Sequence, residues 1–305
     1  MKRILLVLFL MLPACSYLGE YKPSIEELTQ KAEQGDAESQ FRFGNMYNAG
    51  KEVEKSYAEA FKWYLKAAEQ GHAESQLRVG IMYDIGKGVE QSYAEAFKWY
   101  LNAAEQGHAD AQFRFGNMYD TGEGVEQSYA EAFKWYLKAA EQDNVDAQFS
   151  LGSMYDNGEG VEQNTDIAIK WYIRAANQGH VGAQFNLGCV YRCNEGTENL
   201  EEALKWYLMA AKQGDTEAQY MVAYMYAHGE GVDENYIESY AWAKLASMKI
   251  LQVDIPITDA QVKESMLKTD NLLEELSGKL HKQDIQQALD LYDEYKNNYI
   301  KVKLK

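Results

Sequence analysis

Three of the five histidines recur at intervals of 36 or 72 residues and are the first candidates for metal binding. A metal site needs several such side chains to converge on one point. Each of these histidines, however, occupies a position that carries aspartate or asparagine in other copies of the local sequence; the residues there are Asp36, His72, His108, Asn144, His180 and Asp215. Asp and Asn are preferred at helix N-caps, because their side chains accept a hydrogen bond from the first turn. The pattern therefore predicts a helix-start role and no metal site.

Acyl-transfer chemistry is suggested by Ser265 and Lys268, which stand in a Ser-x-x-Lys pattern. Enzymes that react with β-lactams through this pattern also carry Ser-Asp-Asn and Lys-Thr-Gly motifs. Neither motif accompanies it here. The sequence predicts no catalytic residue, and an enzyme acting on cell-wall peptides or β-lactams stays an alternative.

The sequence also has no motif for binding phosphate or calcium. Gly44 and Gly50 are separated by five residues, whereas a P-loop has four between its glycines and follows a strand. The loop with Asp120, Glu123 and Glu126 lacks the alternating oxygen ligands of an EF-hand. We therefore expect no cofactor and no metal ion.

The charge of the chain restricts its partners. The sequence has 47 acidic and 30 basic residues, for a formal net charge of −17. Such a field repels phosphate backbones and anionic lipid headgroups. We expect no nucleic-acid partner and no direct binding to an anionic lipid surface. The simplest role of the charge is solubility.

Three cysteines are too few for a disulfide-built scaffold. Cys189 and Cys193 lie four residues apart on one predicted helix. A disulfide brings Cβ atoms to roughly 3.5–4.5 Å, which regular helix geometry seldom supplies at this spacing. We expect two separate thiols, each buried or half-buried; a bond across a distorted helix end stays an alternative.

The six tryptophans mark the repeat that organises the chain. Successive positions lie 36 residues apart, with one interval of 35; they are Trp63, Trp99, Trp135, Trp171, Trp206 and Trp242. A fixed period of this length indicates a stacked array of supersecondary units. Each unit buries its apolar face against its neighbours, so the hydrophobic core extends with every added repeat and a chain of any length can form one.

Each repeat reads as two helices joined by a glycine-containing loop. In the first repeat, the first helix is predicted at Ala37–Ala49 and ends at Gly50 in a left-handed conformation. The second helix starts at a capping box between Ser56 and Glu59. Glycine recurs in the middle of the first helices, as at Gly44, where it costs about 1 kcal/mol relative to alanine. We therefore expect two helix backbones to approach closely there, and the tryptophans to fill the space between helices and repeats.

The repeat pattern fades after Trp242. A helix is predicted at Asp259–Leu276 and ends before Gly278, and a last helix is predicted at Gln283–Tyr299. The terminal repeats of a stacked array need a polar cover. Residues 248–305 are therefore predicted to form a C-terminal helical cap.

The repeat resembles the Sel1-like repeat (SLR), a relative of the tetratricopeptide repeat. In the second copy the matching positions are Ala73, Gly80, Tyr83, Gly86, Gly88, Val89, Ala96, Trp99, Tyr100, Ala103, Ala104 and Gly107. The resemblance covers residues 24–247. It implies an all-α fold, a right-handed α-solenoid of stacked antiparallel helix pairs with about six repeats. It also implies a scaffold for protein–protein interaction, often exported in bacteria, and it transfers no catalytic position.

The first helices carry the candidate binding face, because in tetratricopeptide-like stacks this helix lines the concave surface. Outside the predicted core arc lie Arg42, Asn45, Arg78, Asp84, Arg114, Asn117 and Asp120. The three arginines could clamp a protein or peptide partner through its carboxylates. The alternative is a solvated face with ion pairs four residues apart. Phenylalanines beside the arc are expected to pack between repeats; they are Phe41, Phe113, Phe149 and Phe185.

The N-terminus reads as a targeting signal. Two basic residues precede the apolar run Ile4–Leu12, which is too short for the ~20 residues of a membrane-spanning helix. Residues 1–14 are therefore predicted to be a secretory signal peptide.

The end of that signal, Leu-Pro-Ala-Cys, resembles the lipobox of bacterial lipoproteins. The resemblance implies cleavage before Cys15, lipidation of its thiol and a tether over residues 15–23. Pro13 departs from the small or β-branched residue usual in that position, so an ordinary signal peptide is the alternative. Ser16 resembles the pattern of proteins passed to the outer membrane of Gram-negative cells.

Together these features predict an exported, lipid-anchored protein in the periplasm or outer membrane of a Gram-negative bacterium. Its predicted role is a scaffold that binds protein partners along the concave face. The alternatives are a protein that binds cell-wall peptides or glycans and a β-lactam-interacting enzyme.

Overall fold

The computed structural model describes residues 24–193, 199–251 and 260–300. The predicted signal peptide and the tether, including Cys15, lie outside the described residues. The chain divides into two compact units, with the boundary between Glu90 and Gln91. Every element assigned within the described ranges is a helix.

The N-terminal unit contains four helices in its described part. They are α1 (Ile25–Glu33), α2 (Ala37–Ala49), α3 (Tyr57–Glu69) and α4 (Ala73–Ile85). Helix α2 begins and ends at the predicted residues. It begins after Asp36, whose Oδ2 accepts a hydrogen bond from the Ser39 backbone N–H at 2.8 Å, and it ends at Gly50, whose φ of 68° is left-handed.

The C-terminal unit contains the remaining helices. They are α5 (Tyr93–Glu105), α6 (Ala109–Thr121), α7 (Tyr129–Glu141), α8 (Val145–Asn157), α9 (Thr165–Asn177), α10 (Val181–Cys193), α11 (Leu200–Lys212), α12 (Thr216–His228), α13 (Tyr236–Leu251), α14 (Ala260–Lys279) and α15 (Lys282–Tyr295), followed by a π-helix (Lys296–Ile300).

Even-numbered helices from α2 to α12 are the first helices of the repeats, and odd-numbered helices from α3 to α13 are the second helices. Within each unit, a first helix packs against the second helix that follows it, and against the helix that precedes it, in the described part of the chain. This alternation makes the protein an all-α solenoid of about six repeats, as predicted.

The recurring mid-helix glycines make room for tyrosine rings. A Cβ on Gly188 would lie 2.5 Å from Cδ1 of Tyr207, which stands one residue after Trp206 in the second helix. Comparable contacts place Gly44 against Tyr64, Gly116 against Tyr136 and Gly152 against Tyr172. The expectation of a backbone-to-backbone approach is therefore wrong, because the close neighbour is an aromatic side chain.

In each of the first five repeats, the tyrosine after the tryptophan is more deeply buried than the tryptophan itself. Tyrosines at this position are at most 2% exposed; they are Tyr64, Tyr100, Tyr136, Tyr172 and Tyr207. Trp206 and Trp242 are buried, at 6% and 2% exposure, whereas the four earlier tryptophans are half-buried. The prediction that every indole fills an interior space is therefore correct only for the last two.

A second loop glycine brings the loops of four repeats against the preceding repeat, at Gly88, Gly124, Gly160 and Gly231. Gly124 has φ 75°, and a Cβ there would lie 2.8 Å from the backbone oxygen of Tyr93, at the start of α5. Gly160 meets the backbone of Tyr129 in the same way at 2.6 Å. A side chain cannot enter this contact, so glycine is required by the close approach as well as by its φ.

The expected inter-repeat packing of phenylalanines is confirmed at two positions. Phe149 stacks on His180, at the start of the next repeat, with ring centroids 4.4 Å apart. Phe41 contacts the equivalent His72 with ring centroids 5.0 Å apart and the rings tilted by 35°. Phe113 and Phe185 contact the buried tyrosine of their own repeat.

The last two helices pack on α13 and cover the sixth repeat. Tyr295 lies over Trp242 with centroids 4.7 Å apart, and its hydroxyl donates to Glu238 Oε2 at 2.8 Å. The predicted helix end before Gly278 is wrong: α14 continues to Lys279. No neighbour lies within 4 Å of a Cβ built on Gly278, so this exposed glycine only reduces helix propensity and does not stop the helix.

Candidate interaction surface

Buried glutamines hold each first helix against the repeat before it. Gln184 in α10 donates from Nε2 to the Ala176 backbone oxygen at 3.0 Å, and its Oε1 accepts from Gln213 Nε2 at 2.8 Å. The equivalent Gln148 bonds to Ala140 O and accepts from Gln178. The glutamine amide thus donates a hydrogen bond to a backbone carbonyl at the C-terminal end of the preceding second helix, where no intrahelical donor is available. This hydrogen bond fixes the position of the first helix.

The buried tyrosine ends at the surface of the first helices, where its hydroxyl is hydrogen-bonded. The single O–H of Tyr136 has two acceptors within hydrogen-bond distance, Asp120 Oδ2 at 3.1 Å and Asn117 Oδ1 at 3.4 Å. The structure therefore brings two of the sequence-predicted site residues together. Burial raises the pKa of Asp120, although the hydrogen bond from Tyr136 opposes that shift.

The same hydroxyl position links neighbouring repeats. Tyr172 OH donates to Asp156 Oδ2 at 3.4 Å, and Asn186 Nδ2 of the next first helix donates to Tyr172 OH at 3.1 Å. Burial raises the pKa of both Asp156 and Tyr172. Sequence reasoning missed this network; its only signal was a tyrosine after each of the first five tryptophans.

In the N-terminal unit, two of the predicted arginines are engaged by acids on their own helices. Arg42 Nε lies 2.7 Å from Glu38 Oε1, and Arg78 contacts Glu74 at 2.7 Å, both four residues apart. These pairs are the arrangement that the sequence left as the alternative. Asn45 Oδ1 accepts from Tyr64 OH at 2.7 Å, which makes it the counterpart of Asn117.

The remaining two predicted residues, Arg114 and Asp84, also lie on first helices and differ in solvent exposure. Arg114 is exposed on α6, and Asp84 is half-buried near the end of α4. The structure thus places the three arginines at exposed positions of first helices.

The histidines start helices, as predicted. Nδ1 of His180 accepts from the Ala183 backbone N–H at 3.1 Å, and Nδ1 of His72 accepts from that of Ser75 at 3.2 Å. His108 stands at the N-cap of α6 without a side-chain cap hydrogen bond. In the described part of the chain, no group of three or more His, Cys, Asp or Glu residues has the arrangement of a metal site.

The two repeat cysteines are free. Cys189 is half-buried and accepts a hydrogen bond from Tyr207 OH at 3.3 Å, and burial raises the pKa of its thiol. Cys193 is exposed, so the expectation that both thiols are at least half-buried is wrong for this residue. It lies at the last turn of α10, beyond the buried stripe.

A groove of about 470 Å³ lies where α10 and α12 meet α14 in the C-terminal unit. Its walls combine aromatic, thioether and charged side chains; they are Phe185, Glu217, Tyr220, Met221, Glu264, Ser265 and Lys268. It contains the serine and lysine of the Ser-x-x-Lys pattern.

The surroundings of that pattern do not suit acyl transfer. Lys268 Nζ lies 2.7 Å from Glu264 Oε1, and this hydrogen bond raises the pKa of Lys268. A general base must be able to lose its proton near the working pH. The ion pair has the opposite effect, because it favours the protonated ammonium.

Among the residues that the structure describes, no helix is both long enough and apolar enough to span a membrane.

Comparison with known proteins identifies the repeat. The Sel1 repeat model matches six consecutive segments, residues 37–72, 73–108, 109–144, 145–180, 181–215 and 216–249. A search of curated protein sequences found no match.

Two solved structures are similar over most of this chain. A protective antigen present in uropathogenic Escherichia coli strains, which displays an SLR fold, is 31% identical with a TM-score of 0.70; the match covers 92% of this chain and 66% of that chain. The chain therefore spans 66% of the length of that relative. A Sel1 repeat protein from Oxalobacter formigenes is 34% identical with a TM-score of 0.66, and the match covers 76% of this chain and 92% of that chain. Proteins of this kind generally mediate protein–protein interaction, and the chain, with six matched segments, belongs to the Sel1 repeat family.

Proposed function

We propose that the protein is an interaction scaffold that binds a protein partner along the face of its first helices, the concave face in the family to which it belongs. The observation that carries the proposal is the combination of polar groups held by buried tyrosines and exposed arginines on this face. Asn45, Asn117 and Asp120 are held by buried tyrosine hydroxyls, while Arg42 and Arg114, each three residues before one of these asparagines, are exposed, as is Arg78. Groups held in place before binding lose little entropy when a partner arrives.

The arginines can exchange their present partners for those of another protein. The side chains of Arg42 and Arg78 are 52% and 46% exposed in their ion pairs. Exposed pairs of this type contribute only about 0.2–1 kcal/mol. A partner carboxylate that binds a guanidinium through two parallel hydrogen bonds forms a stronger and more directional contact, so the existing pairs do not block the face.

A charge-reversal pull-down tests this proposal. The test variant carries Arg42→Glu, Arg78→Glu and Arg114→Glu. The control carries Lys62→Glu, Lys98→Glu and Lys134→Glu, which reverses three exposed cations on second helices, each with an ion-pair partner three residues before it. Both triple variants change the net charge equally.

We expect the arginine variant to lose a partner that the wild type and the lysine control both recover from extracts of the producing cells. Equal recovery by the two triple variants would contradict a role of the first-helix face. Circular dichroism and thermal unfolding of both variants establish that the helices are intact.

We also propose that the protein is exported and anchored by lipidation of Cys15, facing the periplasm of a Gram-negative cell. The support is the sequence of residues 1–16, with its basic start, apolar run and lipobox-like end. A palmitate analogue should label the wild-type protein and not the Cys15→Ala variant. Absence of label on both would contradict the lipid anchor.

A further inference from the structure

The sixth repeat keeps an acidic residue but lacks the arginine that pairs with it in the first two repeats. Glu38 and Glu74 stand at the second position of α2 and α4, and each binds an arginine four residues later at 2.7 Å. Glu217 holds the same position in α12. The residue four positions after it is Met221, so α12 has no arginine to pair with this acid; the fourth repeat likewise has Ser150 after Asp146.

The groove between α10, α12 and α14 combines this exposed acid with apolar surface. Phe185, Tyr220 and Met221 line it beside Glu217. On the α14 side, Lys268 Nζ lies 2.7 Å from Glu264 Oε1, and Lys268 also interacts electrostatically with Glu217 and Tyr220. Two carboxylates and one ammonium leave the groove with a net negative charge, in a chain whose total is −17.

We propose that this groove binds a basic peptide segment in which lysine or arginine alternates with apolar residues. The peptide cation takes the place of the missing arginine beside Glu217 and lies against the ring of Tyr220. Its apolar neighbours pack on Phe185 and Met221. The inference rests on the proposed function, binding of a partner at the first-helix face. It specifies that the part of the partner in contact with α12 is basic and apolar.

Each contact has a physical basis in the groove. A cation against a tyrosine ring is attracted by the electrons of the ring face, and a nearby carboxylate adds a charge-assisted hydrogen bond. Methionine adapts its shape to different apolar side chains. An acidic peptide should bind poorly, because Glu217 and Glu264 repel it.

A direct binding measurement uses the full chain and fluorescein-labelled decapeptides. The test peptide alternates lysine and leucine. One comparison peptide replaces every lysine by glutamate, and the other replaces every leucine by serine. Fluorescence anisotropy at two salt concentrations gives the affinities. We expect the lysine–leucine peptide to bind at least about tenfold more tightly than either comparison peptide.

Three variants identify the groove. We expect Glu217→Gln to weaken binding of the lysine–leucine peptide by about fivefold and to reduce its salt dependence. Met221→Arg restores the ion pair of the earlier repeats and should weaken binding by a similar factor. Glu131→Gln removes one exposed carboxylate from α7, far along the sequence from the groove, and should leave the affinity unchanged.

Equal binding of the lysine and glutamate peptides would overturn the proposal. So would an equal loss of affinity in Glu217→Gln and Glu131→Gln, because that result assigns the attraction to the general negative charge. Arg42, Arg78 and Arg114 do not line the groove. Failure here therefore leaves the pull-down result of the arginine variant to be judged separately.

Discussion

A Cβ added to Gly44 would lie 2.6 Å from both Cδ1 and Cε1 of Tyr64. The ring is 2% exposed, and its hydroxyl is held by Asn45, so it cannot move aside. The sixth repeat shows the compensating change. There Ala223 replaces the glycine and Ala243 replaces the tyrosine, and both are fully buried.

This relationship predicts a change of sign in a double-mutant cycle. In the wild type, Gly44→Ala should destabilise the protein by about 1–3 kcal/mol, because the core is overpacked. In the Tyr64→Ala background the same substitution should stabilise it by about 0.5–1 kcal/mol, since alanine is the better helix former. Urea unfolding of the four proteins measures both values. A destabilisation of equal size in the two backgrounds would show that Tyr64 is not the obstacle.

The buried glutamines predict a second difference. Gln184 uses both ends of its amide, whereas Oε1 of Gln219 has no hydrogen-bond partner among the described residues. Replacement by methionine keeps the side-chain length and removes the hydrogen bonds. We expect Gln184→Met to cost about 2–3 kcal/mol and Gln219→Met about 1 kcal/mol less, because one fewer group loses its partner. Equal losses in chemical denaturation would contradict this account of the amide contacts.

His180 predicts a pH dependence of stability. Burial lowers its pKa, against the opposing effect of Asp146, and its Nδ1 accepts the Ala183 N–H only while that nitrogen is unprotonated. The ordinary pKa of histidine is about 6.5 in the unfolded chain. The contribution is therefore complete above that value, and it is lost as the pH falls through the lower pKa of the folded protein.

The matched variant is His180→Asn, which copies the Asn144 cap of another repeat. We expect the variant to retain its stability between pH 7.5 and pH 5 better than the wild type. Thermal unfolding at the two pH values, together with an NMR titration of the imidazole, checks this expectation. A wild-type pKa above 6.5 would contradict the direction of the shift.

Helix positions could be predicted because their signals are local. Asp36 and Gly50 determine the ends of α2 through contacts within a few residues. The role of Tyr64 could not be predicted, since its partners Gly44 and Asn45 belong to another helix. Gly278 was misjudged for a different reason: a glycine weakens an exposed helix by about 1 kcal/mol, which neighbouring turns can offset.

The candidate site was only partly accessible from the sequence. Helical spacing was enough to place Arg42 and Asn117 outside the core. Spacing did not show that Glu38 binds Arg42 or that Tyr136 reaches Asn117, because side-chain direction and the packing of the second helix decide those contacts. The groove at α14 was not predicted at all, since it depends on how the cap packs on the last repeat.

The most direct measurement of the central claim, that partners bind the first helices, is site-specific photocrosslinking in the producing cells. A benzophenone amino acid replaces either Arg114 on α6 or Lys134 on α7, both of which are exposed in the C-terminal unit. The account predicts a crosslinked partner from position 114 and none from position 134. Crosslinking of the same partner from position 134 alone, or equally from both, would contradict it.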